Sequence, residues 1–442
     1  METTVPKKTF FVLFGSTGDL SQRKVLPALY HLYQSQSLPK NISILAIGRT
    51  QHTNESYKDF ITSHVEKILN ETPSEDFLNY FTYIQGSVQD ESLYARVEDE
   101  LNKHLIGADD IVVAYLSVSA ELYTPIALGI TAHTSICKRP QSQFTVCIEK
   151  PLGSNLESAQ KLHAELTAYF KEPQIYRIEH YLAKPFIKHV PVFRFKEALY
   201  EDLFNNKHVN SIEVFFSEKM GVDNRGSFYD AVGAFRDVGQ NHCLHMLTSI
   251  CAEKPKLDSA LSESEARAEF LETALLATDE SIRNSLRAQH EGYTAIAGVL
   301  KDSQTETAFK ITSQLRGQRW SGVPVTYSGG KRLAEYKKGV LVTFGKNEKN
   351  IQSIYFESYP KVRTVITFTD STTHVGFATD VAQVQYVGEY STILHEVFNG
   401  TTQYSISERE VEAMWKFTDP YIEGWLRNVV PLLTYAPESN IV

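Results

Sequence analysis

The sequence predicts two domains: an α/β domain with a doubly wound parallel sheet, then an α+β domain with a large, mostly antiparallel sheet. At 442 residues, the chain is longer than a single hydrophobic core usually supports. The first part alternates apolar runs of strand length with amphipathic helical patterns, whereas the second carries successive strands rich in β-branched and aromatic residues. We therefore expect the first domain at residues 1–176 and the second at residues 177–442.

Composition favours a folded protein in a reducing compartment. The N-terminus lacks the apolar region of a secretory signal, and no run of the sequence approaches the length of a membrane span. The four cysteines include no C-x-x-C pair and no disulfide framework, which leaves a zinc site unsupported and favours the cytoplasm. The formal net charge of -9 argues against a nucleic-acid-binding surface, but it allows a basic pocket for a small anion.

A glycine turn follows the first apolar run. Residues Thr9–Phe14 have the length and composition of a buried strand, Gly15 and Gly18 come next, and a helical pattern begins shortly afterwards. Glycines lack side chains, so backbone N–H groups there can approach a pyrophosphate at the positive end of a helix. The placement predicts a dinucleotide-binding Rossmann domain.

The second strand indicates which dinucleotide is bound. Residues Ile42–Ile47 read as a strand that ends at Gly48-Arg49-Thr50. A Rossmann domain that binds NAD usually presents a carboxylate to the ribose 2′-hydroxyl here, whereas Arg49 suits a 2′-phosphate. The sequence therefore predicts NADP, with an exposed arginine at the start of a loop as the alternative.

A lysine follows a later strand of the same sheet. Residues Gln143–Ile148 form an apolar run that ends in Glu149-Lys150-Pro151. Lys150 should reach the crevice and contact both substrate and nicotinamide ribose, unless it pairs with its neighbour Glu149. The Lys150–Pro151 bond is a candidate for a cis peptide.

The segment Gln174–Pro185 combines acidic, basic and phosphate-seeking side chains. Its alternation up to Glu179 suits a strand, and Pro185 can begin a helix. Glu179 and His180 would then point to opposite sides. A salt-bridged surface turn is the commoner meaning of such a string by itself.

A helix is predicted from Asp230 to Ala252, and it carries Asp237 and His242. Each of these residues, taken alone, is more often a hydrogen-bonded structural residue than a catalytic one. Further strands are predicted downstream, including one at Tyr293–Leu300.

Taken together, these motifs resemble the glucose-6-phosphate dehydrogenase family. The turn Gly15–Lys24 is similar to its G-x-x-G-D-L-A-x-R-K, Glu149–Gly153 to its E-K-P-F-G, and Arg177–Lys184 to its R-I-D-H-Y-L-G-K. Four further segments are similar to family motifs: Asn224–Asp230, Arg236–His242, Arg319–Pro324 and Gly330–Leu333. The resemblance covers nearly the whole chain.

The resemblance implies NADP-dependent oxidation of the C1 hydroxyl of glucose 6-phosphate to the lactone, within carbohydrate metabolism, by a homodimer or other homo-oligomer. It implies His242 as general base and Glu179 as its carboxylate partner. The implied substrate contacts are Lys24, Lys150, His180, Tyr181, Lys184, Glu218, Asp237 and Lys331. The implied cofactor contacts are Gly15, Ser16, Thr17, Gly18, Asp19, Leu20, Arg49, Tyr123 and Lys150.

The chain departs from the family pattern at four positions. Glu179 stands where the family has Asp, Ala183 where it has Gly, Pro185 where it has Glu, and Tyr336 where it has a basic residue. A different sugar phosphate, such as an amino sugar or another hexose, therefore remains an alternative. So do an enzyme of the glucose–fructose oxidoreductase type and an NADP-binding sensor that has lost turnover.

Overall fold

The computed structural model describes residues 7–104, 110–140, 143–196, 200–255, 263–376 and 381–440. The chain divides into two compact units. The first comprises Met1–Gly153, Glu157–Ala183 and Ala382–Ile406. The second comprises Ser154–Leu156, Lys184–Val381 and Ser407–Val442. This division differs from the predicted boundary after residue 176, because the first unit runs on to Ala183 and regains a segment near the C-terminus.

The first unit contains a parallel sheet. Its strands are β1 (Thr9–Phe14), β2 (Ile42–Gly48), β3 (Phe81–Gln85), β4 (Ile111–Leu116), β5 (Phe144–Ile148) and β6 (Ile175–Arg177). Within the described residues it has six strands in the order β3-β2-β1-β4-β5-β6. All residues of β1 are buried, as expected for a strand that pairs with β2 on one side and β4 on the other. The predicted doubly wound α/β domain is confirmed.

Helices connect these strands. They are α1 (Leu26–Gln34), α2 (Asn54–Leu69), α3 (Glu75–Leu78), α4 (Glu91–His104), α5 (Tyr123–His133) and α6 (Leu156–Thr167). Thr53 and Ser56 form a capping box at the start of α2, which satisfies backbone N–H groups that have no partner inside the helix.

The second unit contains a mixed sheet. Its strands are β7 (Val209–Ser217), β8 (Leu286–His290), β9 (Ala308–Gln314), β10 (Pro324–Gly330), β11 (Lys337–Phe344), β12 (Ile351–Tyr359), β13 (Arg363–Phe368), β14 (Thr372–Gly376) and β15 (Leu432–Tyr435). Counted over the described part of the chain, nine strands follow the order β14-β13-β12-β11-β7-β10-β9-β8-β15. Among the described strand pairs of this sheet, only β7–β10 and β8–β15 are parallel, so the prediction of a mostly antiparallel sheet is confirmed.

The remaining helices are α7 (Pro185–Pro191), α8 (Gly226–Ala234), α9 (Leu244–Cys251), α10 (Glu263–Ala274), α11 (Asp279–Arg283), α12 (Gly317–Trp320), α13 (Val381–Phe398) and α14 (Glu408–Leu426). As predicted, α7 begins at Pro185, a residue whose fixed φ suits the first turn of a helix. No helix found in the described residues is long and apolar enough to cross a bilayer.

Helix α13 explains the division of the chain. The Phe398 ring meets the Phe11 ring edge-on at 5.5 Å, and the Ser391 hydroxyl donates to the carbonyl of Ala28 at 3.4 Å. Both partners belong to the first unit, so α13 packs there although its sequence lies far downstream.

One predicted strand of the second domain was wrong. The segment predicted as a strand at Tyr293–Leu300 contains a short helical turn, Tyr293–Ala295, between Gly292 and Gly298. Both glycines have positive φ, of 80° and 85°, which an extended strand does not accommodate. The strand lies upstream instead, at β8.

The helix predicted from Asp230 to Ala252 is interrupted. Gly233 has φ 78° and ψ 167°, and a π-helical segment, Phe235–Cys243, lies between α8 and α9. The Glu306 carboxylate accepts the backbone N–H of Phe235 at 2.9 Å. Glycine is favoured at this break because residues with a side chain rarely adopt this positive φ, and a Cβ there would also lie 2.5 Å from the same carboxylate.

Candidate functional site

A cavity of about 360 Å³ lies at the carboxyl ends of the strands in the first unit. It is lined by Gly15, Thr17 and Gly18 after β1, Ile47 and Gly48 at the end of β2, Arg49 and Thr50 after β2, Gly86, Val88 and Gln89 after β3, and Ser117, Val118, Ser119 and Leu122 after β4. The strand order reverses at β1, and open α/β sheets bind ligands at such a switch point.

The turn after β1 depends on glycine. Gly15 has φ 76°, and a Cβ there would lie 2.2 Å from the carbonyl oxygen of Ser117. The Ser21 hydroxyl donates to the Gly15 carbonyl at 2.9 Å, and the Gly18 N–H donates to the same carbonyl at 2.9 Å. The Ser16 N–H donates to Ile47 at 2.9 Å. Of the predicted turn contacts, Ser16 and Gly18 therefore both have a backbone N–H that is bonded within the fold.

Arg49 lies on the wall of this cavity. The loop that carries Arg49 contacts the glycine turn, because the hydroxyl of the next residue, Thr50, donates to the Thr17 hydroxyl at 3.4 Å. Within the described part of the chain, Arg49 is the one charged residue among those that line the cavity. Glycines, hydroxyl and amide groups and one cation, beside the apolar side chains of Ile47, Val88, Val118 and Leu122, fit a phosphate-bearing dinucleotide.

Tyr123 is buried and contacts the turn that carries Lys150. Its hydroxyl accepts the backbone N–H of Glu149 at 3.1 Å and donates to the carbonyl of Glu149 at 3.0 Å. The Lys150–Pro151 peptide is cis, as predicted. The cofactor contact predicted for Tyr123 stays a prediction, and its observed role is to anchor the backbone next to Lys150.

Glu149 is a buried acid that the sequence analysis considered only as a partner for Lys150. The Tyr115 hydroxyl donates to its carboxylate at 2.5 Å, and the Tyr390 side chain also hydrogen-bonds to it. Burial raises the pKa of Glu149 to about 7, although both tyrosines favour the charged form. Glu149 can therefore change its charge near neutral pH.

Tyr390 of α13 brings several predicted residues together. Its ring stacks on His180 with 6.2 Å between centroids and 22° between planes, and it lies 5.9 Å from the Lys24 ammonium. Since Tyr390 also bonds Glu149, one side chain links three segments of the first unit. Periodicity could not have identified it, because its partners lie more than two hundred residues upstream.

Glu179 is held by its own turn. Its carboxylate accepts the backbone N–H of Tyr181 at 2.9 Å and lies 3.8 Å from Nδ1 of His180. Glu179 is only 2% exposed, so its carboxylate has little access to water. Glu179, His180 and Tyr181 therefore form one local group, in which His180 is the most exposed member.

The predicted residues of the second unit form another group. The Lys331 ammonium contacts one carboxylate oxygen of Glu218 and lies 3.7 Å from Asp237. The His242 ring stacks on Phe216 with 5.5 Å between centroids and 23° between planes. The structure thus brings Glu218, Asp237 and Lys331 together and fixes the plane of the His242 ring.

Lys338 was missed from the sequence. Its ammonium donates to the second carboxylate oxygen of Glu218 at 2.7 Å. Burial alone would raise the pKa of Glu218, but attraction to Lys338 and Lys331 outweighs it and lowers that pKa. Lys184, at the N-terminus of α7, is near enough for its charge to lower the pKa of Lys338.

Comparison with known proteins covers both units. The family description "Glucose-6-phosphate dehydrogenase, NAD binding domain" matches residues 12–189, and "Glucose-6-phosphate dehydrogenase, C-terminal domain" matches residues 191–440. The glucose-6-phosphate 1-dehydrogenase of Treponema pallidum (strain Nichols) is 31% identical, over 97% of this chain and 91% of that protein.

Two solved structures have the same fold. The glucose-6-phosphate 1-dehydrogenase of Mycobacterium avium has a TM-score of 0.83 at 27% identity, and the match covers 98% of this chain and 95% of that one. A glucose-6-phosphate dehydrogenase in complex with glucose 6-phosphate has a TM-score of 0.87 at 23% identity, and the match covers 100% of this chain and 96% of that one.

Replacing Arg49 with alanine should weaken NADP binding much more than NAD binding. The guanidinium can form charge-assisted hydrogen bonds with a 2′-phosphate, so its loss should raise the NADP dissociation constant roughly tenfold or more. Calorimetric titration of both cofactors measures the difference. Lys67→Ala, at an exposed lysine of α2, is the control for loss of one positive charge. Equal losses for NADP and NAD would contradict the assignment.

Replacing Glu149 with glutamine should change how stability depends on pH. Its pKa is raised from 4.5 to about 7, so as pH rises through that window the unfolded chain loses the proton first. The free energy of unfolding of the wild type should therefore fall relative to Glu149→Gln, by roughly 3 kcal/mol across the window. Urea unfolding of both proteins at about pH 5 and about pH 8 measures this change.

The exposed Glu91→Gln is the matched control for that experiment, because it removes a carboxylate without disturbing the buried tyrosines. It should keep the pH dependence of the wild type. If Glu149→Gln also keeps it, Glu149 does not titrate in the window.

Proposed function

The chain belongs to the glucose-6-phosphate dehydrogenase family, and we propose that it oxidises the C1 hydroxyl of glucose 6-phosphate to 6-phosphogluconolactone, with NADP as the acceptor. The observation that carries the proposal is the match of both family domains over nearly the whole chain. Because both domains match the glucose-6-phosphate dehydrogenase family, the alternative of a glucose–fructose oxidoreductase is disfavoured.

The glycine turn and Arg49 would hold NADP. Gly15, Thr17 and Gly18 of the turn line the cavity at the switch point, and so does Arg49. Ser16, Asp19 and Leu20 are assigned to the cofactor as the resemblance implies. When bound, the nicotinamide supplies the hydride acceptor. Lys150 follows the buried Glu149 in the same unit, and we assign it to both ligands as the resemblance implies.

His242 is the proposed general base. Oxidation of an alcohol requires loss of the hydroxyl proton, and a neutral imidazole is suited to accept it near neutral pH. Stacking on Phe216 restricts rotation of the imidazole ring, which helps to keep one nitrogen directed at the substrate. Glu179 remains the proposed carboxylate partner, and its role would be to fix the tautomer and stabilise the imidazolium.

The lysines and acids of the second unit suit a sugar phosphate. Lys331 and Lys184 provide positive charge for the phosphate, to which His180 and Tyr181 are proposed to add donors. Glu218 and Asp237 can accept hydrogen bonds from sugar hydroxyls. Lys24 is proposed to border both ligands. Holding the phosphate would orient C1 for reaction.

The cellular compartment and the oligomeric state of the protein are also proposals. Cys137, Cys147, Cys243 and Cys251 are free thiols, which supports a reducing compartment such as the cytoplasm. A homo-oligomer, either dimer or tetramer, is what the family resemblance implies.

A screen for NADPH formation tests the function. Purified protein is mixed with glucose 6-phosphate, other hexose and amino-sugar phosphates, or free glucose, each with NADP or NAD, and absorbance of the reduced cofactor is followed. Glucose 6-phosphate with NADP should give the highest kcat/KM. A preference for another sugar phosphate would reassign the substrate, and NADP binding without sugar-dependent reduction would support the sensor instead.

His242→Asn should lower kcat by roughly 10²- to 10⁴-fold, because asparagine keeps much of the shape but cannot accept the proton. Cofactor affinity should be unchanged. Steady-state kinetics and calorimetric titration of NADP separate the two effects. The control is His208→Asn, at a histidine outside the proposed site. If His242→Asn keeps the kcat of the wild type, His242 is not the base.

A further inference from the structure

Lys338 is a largely but not fully buried lysine near the beginning of β11. Its side chain is 14% exposed, and its ammonium lies 4.0 Å from the centroid of the Phe216 ring. The same ammonium donates to Glu218 at 2.7 Å. A lysine is rarely buried without a partner or a function, because desolvation disfavours its charged form.

Two other ammonium groups repel that of Lys338. Lys331 contacts the other oxygen of Glu218, and Lys184 is close enough to repel Lys338. Burial lowers the pKa of Lys338, attraction to Glu218 opposes this, and repulsion from Lys184 and Lys331 adds to it. Lys338 and Lys331 thus share the Glu218 carboxylate, and Lys331 also lies near Asp237.

A dianion would relieve this repulsion. Two ammonium groups converge on the two oxygens of one carboxylate, and a phosphate group presents oxygens at a similar spacing. A bound phosphate can therefore attract both ammonium groups while Glu218 turns an oxygen towards a sugar hydroxyl. Charge-assisted contacts of this kind are the stronger hydrogen bonds in proteins.

The position of Lys338 also accounts for a departure in the sequence. Tyr336 stands where the family resemblance leads one to expect a basic residue. The Lys338 ammonium lies 5.1 Å from the Tyr336 ring, and residues two apart on an extended chain face the same side. The missing positive charge is thus supplied from two residues further along.

We propose that Lys338 binds the phosphate of the substrate together with Lys331 and Lys184, and that it determines the preference for phosphorylated over unphosphorylated sugar. This inference rests on the proposed function for the identity of the sugar. It adds a specificity-determining residue that the motifs did not reveal.

Lys338→Met is the main test, because methionine keeps an unbranched stem against Phe216 and removes the ammonium. Lys337→Met is the matched control: Lys337 also lies 4.0 Å from a phenylalanine ring, but that ring belongs to Phe215, which alternates with Phe216 along β7. Calorimetry measures binding of glucose 6-phosphate and of inorganic phosphate to the NADP-loaded protein. Steady-state kinetics gives kcat/KM for glucose 6-phosphate and for free glucose.

Lys338→Met should raise the dissociation constants of both phosphate probes on the order of 10- to 100-fold. It should also lower the ratio of kcat/KM for glucose 6-phosphate over free glucose. Lys337→Met should behave as the wild type, and Lys338→Arg should keep most of the affinity. If Lys338→Met does not fold, Lys338→Gln replaces it, since the amide retains a polar head.

The outcomes separate the inference from the function on which it rests. If the wild type forms NADPH from glucose 6-phosphate but Lys338→Met binds both probes unchanged, the function stands and the role of Lys338 is wrong. If Lys338→Met loses free glucose and glucose 6-phosphate equally, Lys338 serves only to hold Glu218, and the inference is overturned. If the wild type forms no NADPH, the function fails, and calorimetry with inorganic phosphate still decides whether Lys338 binds an anion.

Discussion

The first unit depends on a steric constraint at Gly15, where a side chain would put its Cβ 2.2 Å from the carbonyl oxygen of Ser117. The end of β1 can approach the end of β4 this closely only because Gly15 has no Cβ. That approach lets the Ser21 hydroxyl bond both the Gly15 carbonyl and the Ser117 hydroxyl, each at 2.9 Å. The cavity at the switch point is bounded by the backbone that these contacts hold in place.

Burial acts on two acids of the chain with opposite results. Glu149 is hydrogen-bonded by neutral tyrosine hydroxyls, so desolvation prevails and its pKa rises to about 7. Glu218 contacts two ammonium groups, whose attraction outweighs desolvation and lowers its pKa. The same residue type therefore provides a group that titrates near neutral pH in one unit and a lasting negative charge in the other.

Local patterns predicted the elements that are defined by their own residues. The glycine turn after β1, Arg49 at the end of β2, the cis bond before Pro151 and the start of α7 at Pro185 all follow from short-range chemistry. The strand predicted at Tyr293–Leu300 was wrong because Gly292 and Gly298 adopt positive φ and the chain forms a helical turn between them. Glycines with positive φ are hard to recognise before the turn is known.

Long-range packing could not be predicted in this way. Tyr390 contacts Glu149 and His180 from a helix more than two hundred residues downstream, and no periodicity in α13 indicates those partners. Lys338 was missed for a related reason. A pair of lysines at the start of a strand usually reads as solvated charge, and the importance of the second depends on Glu218, which lies on a neighbouring strand end.

Glu218 differs from the acid of a single buried ion pair, because two ammonium groups contact its carboxylate. Removing one partner from a buried ion pair typically costs about 3 to 5 kcal/mol, because the other charge is left without compensation. Here Glu218 has two lysines, so one ammonium can shift towards another anion while the second still compensates the carboxylate. A cluster with one carboxylate between two cations can thus exchange partners at a lower cost than a single pair, which the proposed binding of a sugar phosphate by Lys331 and Lys338 would use.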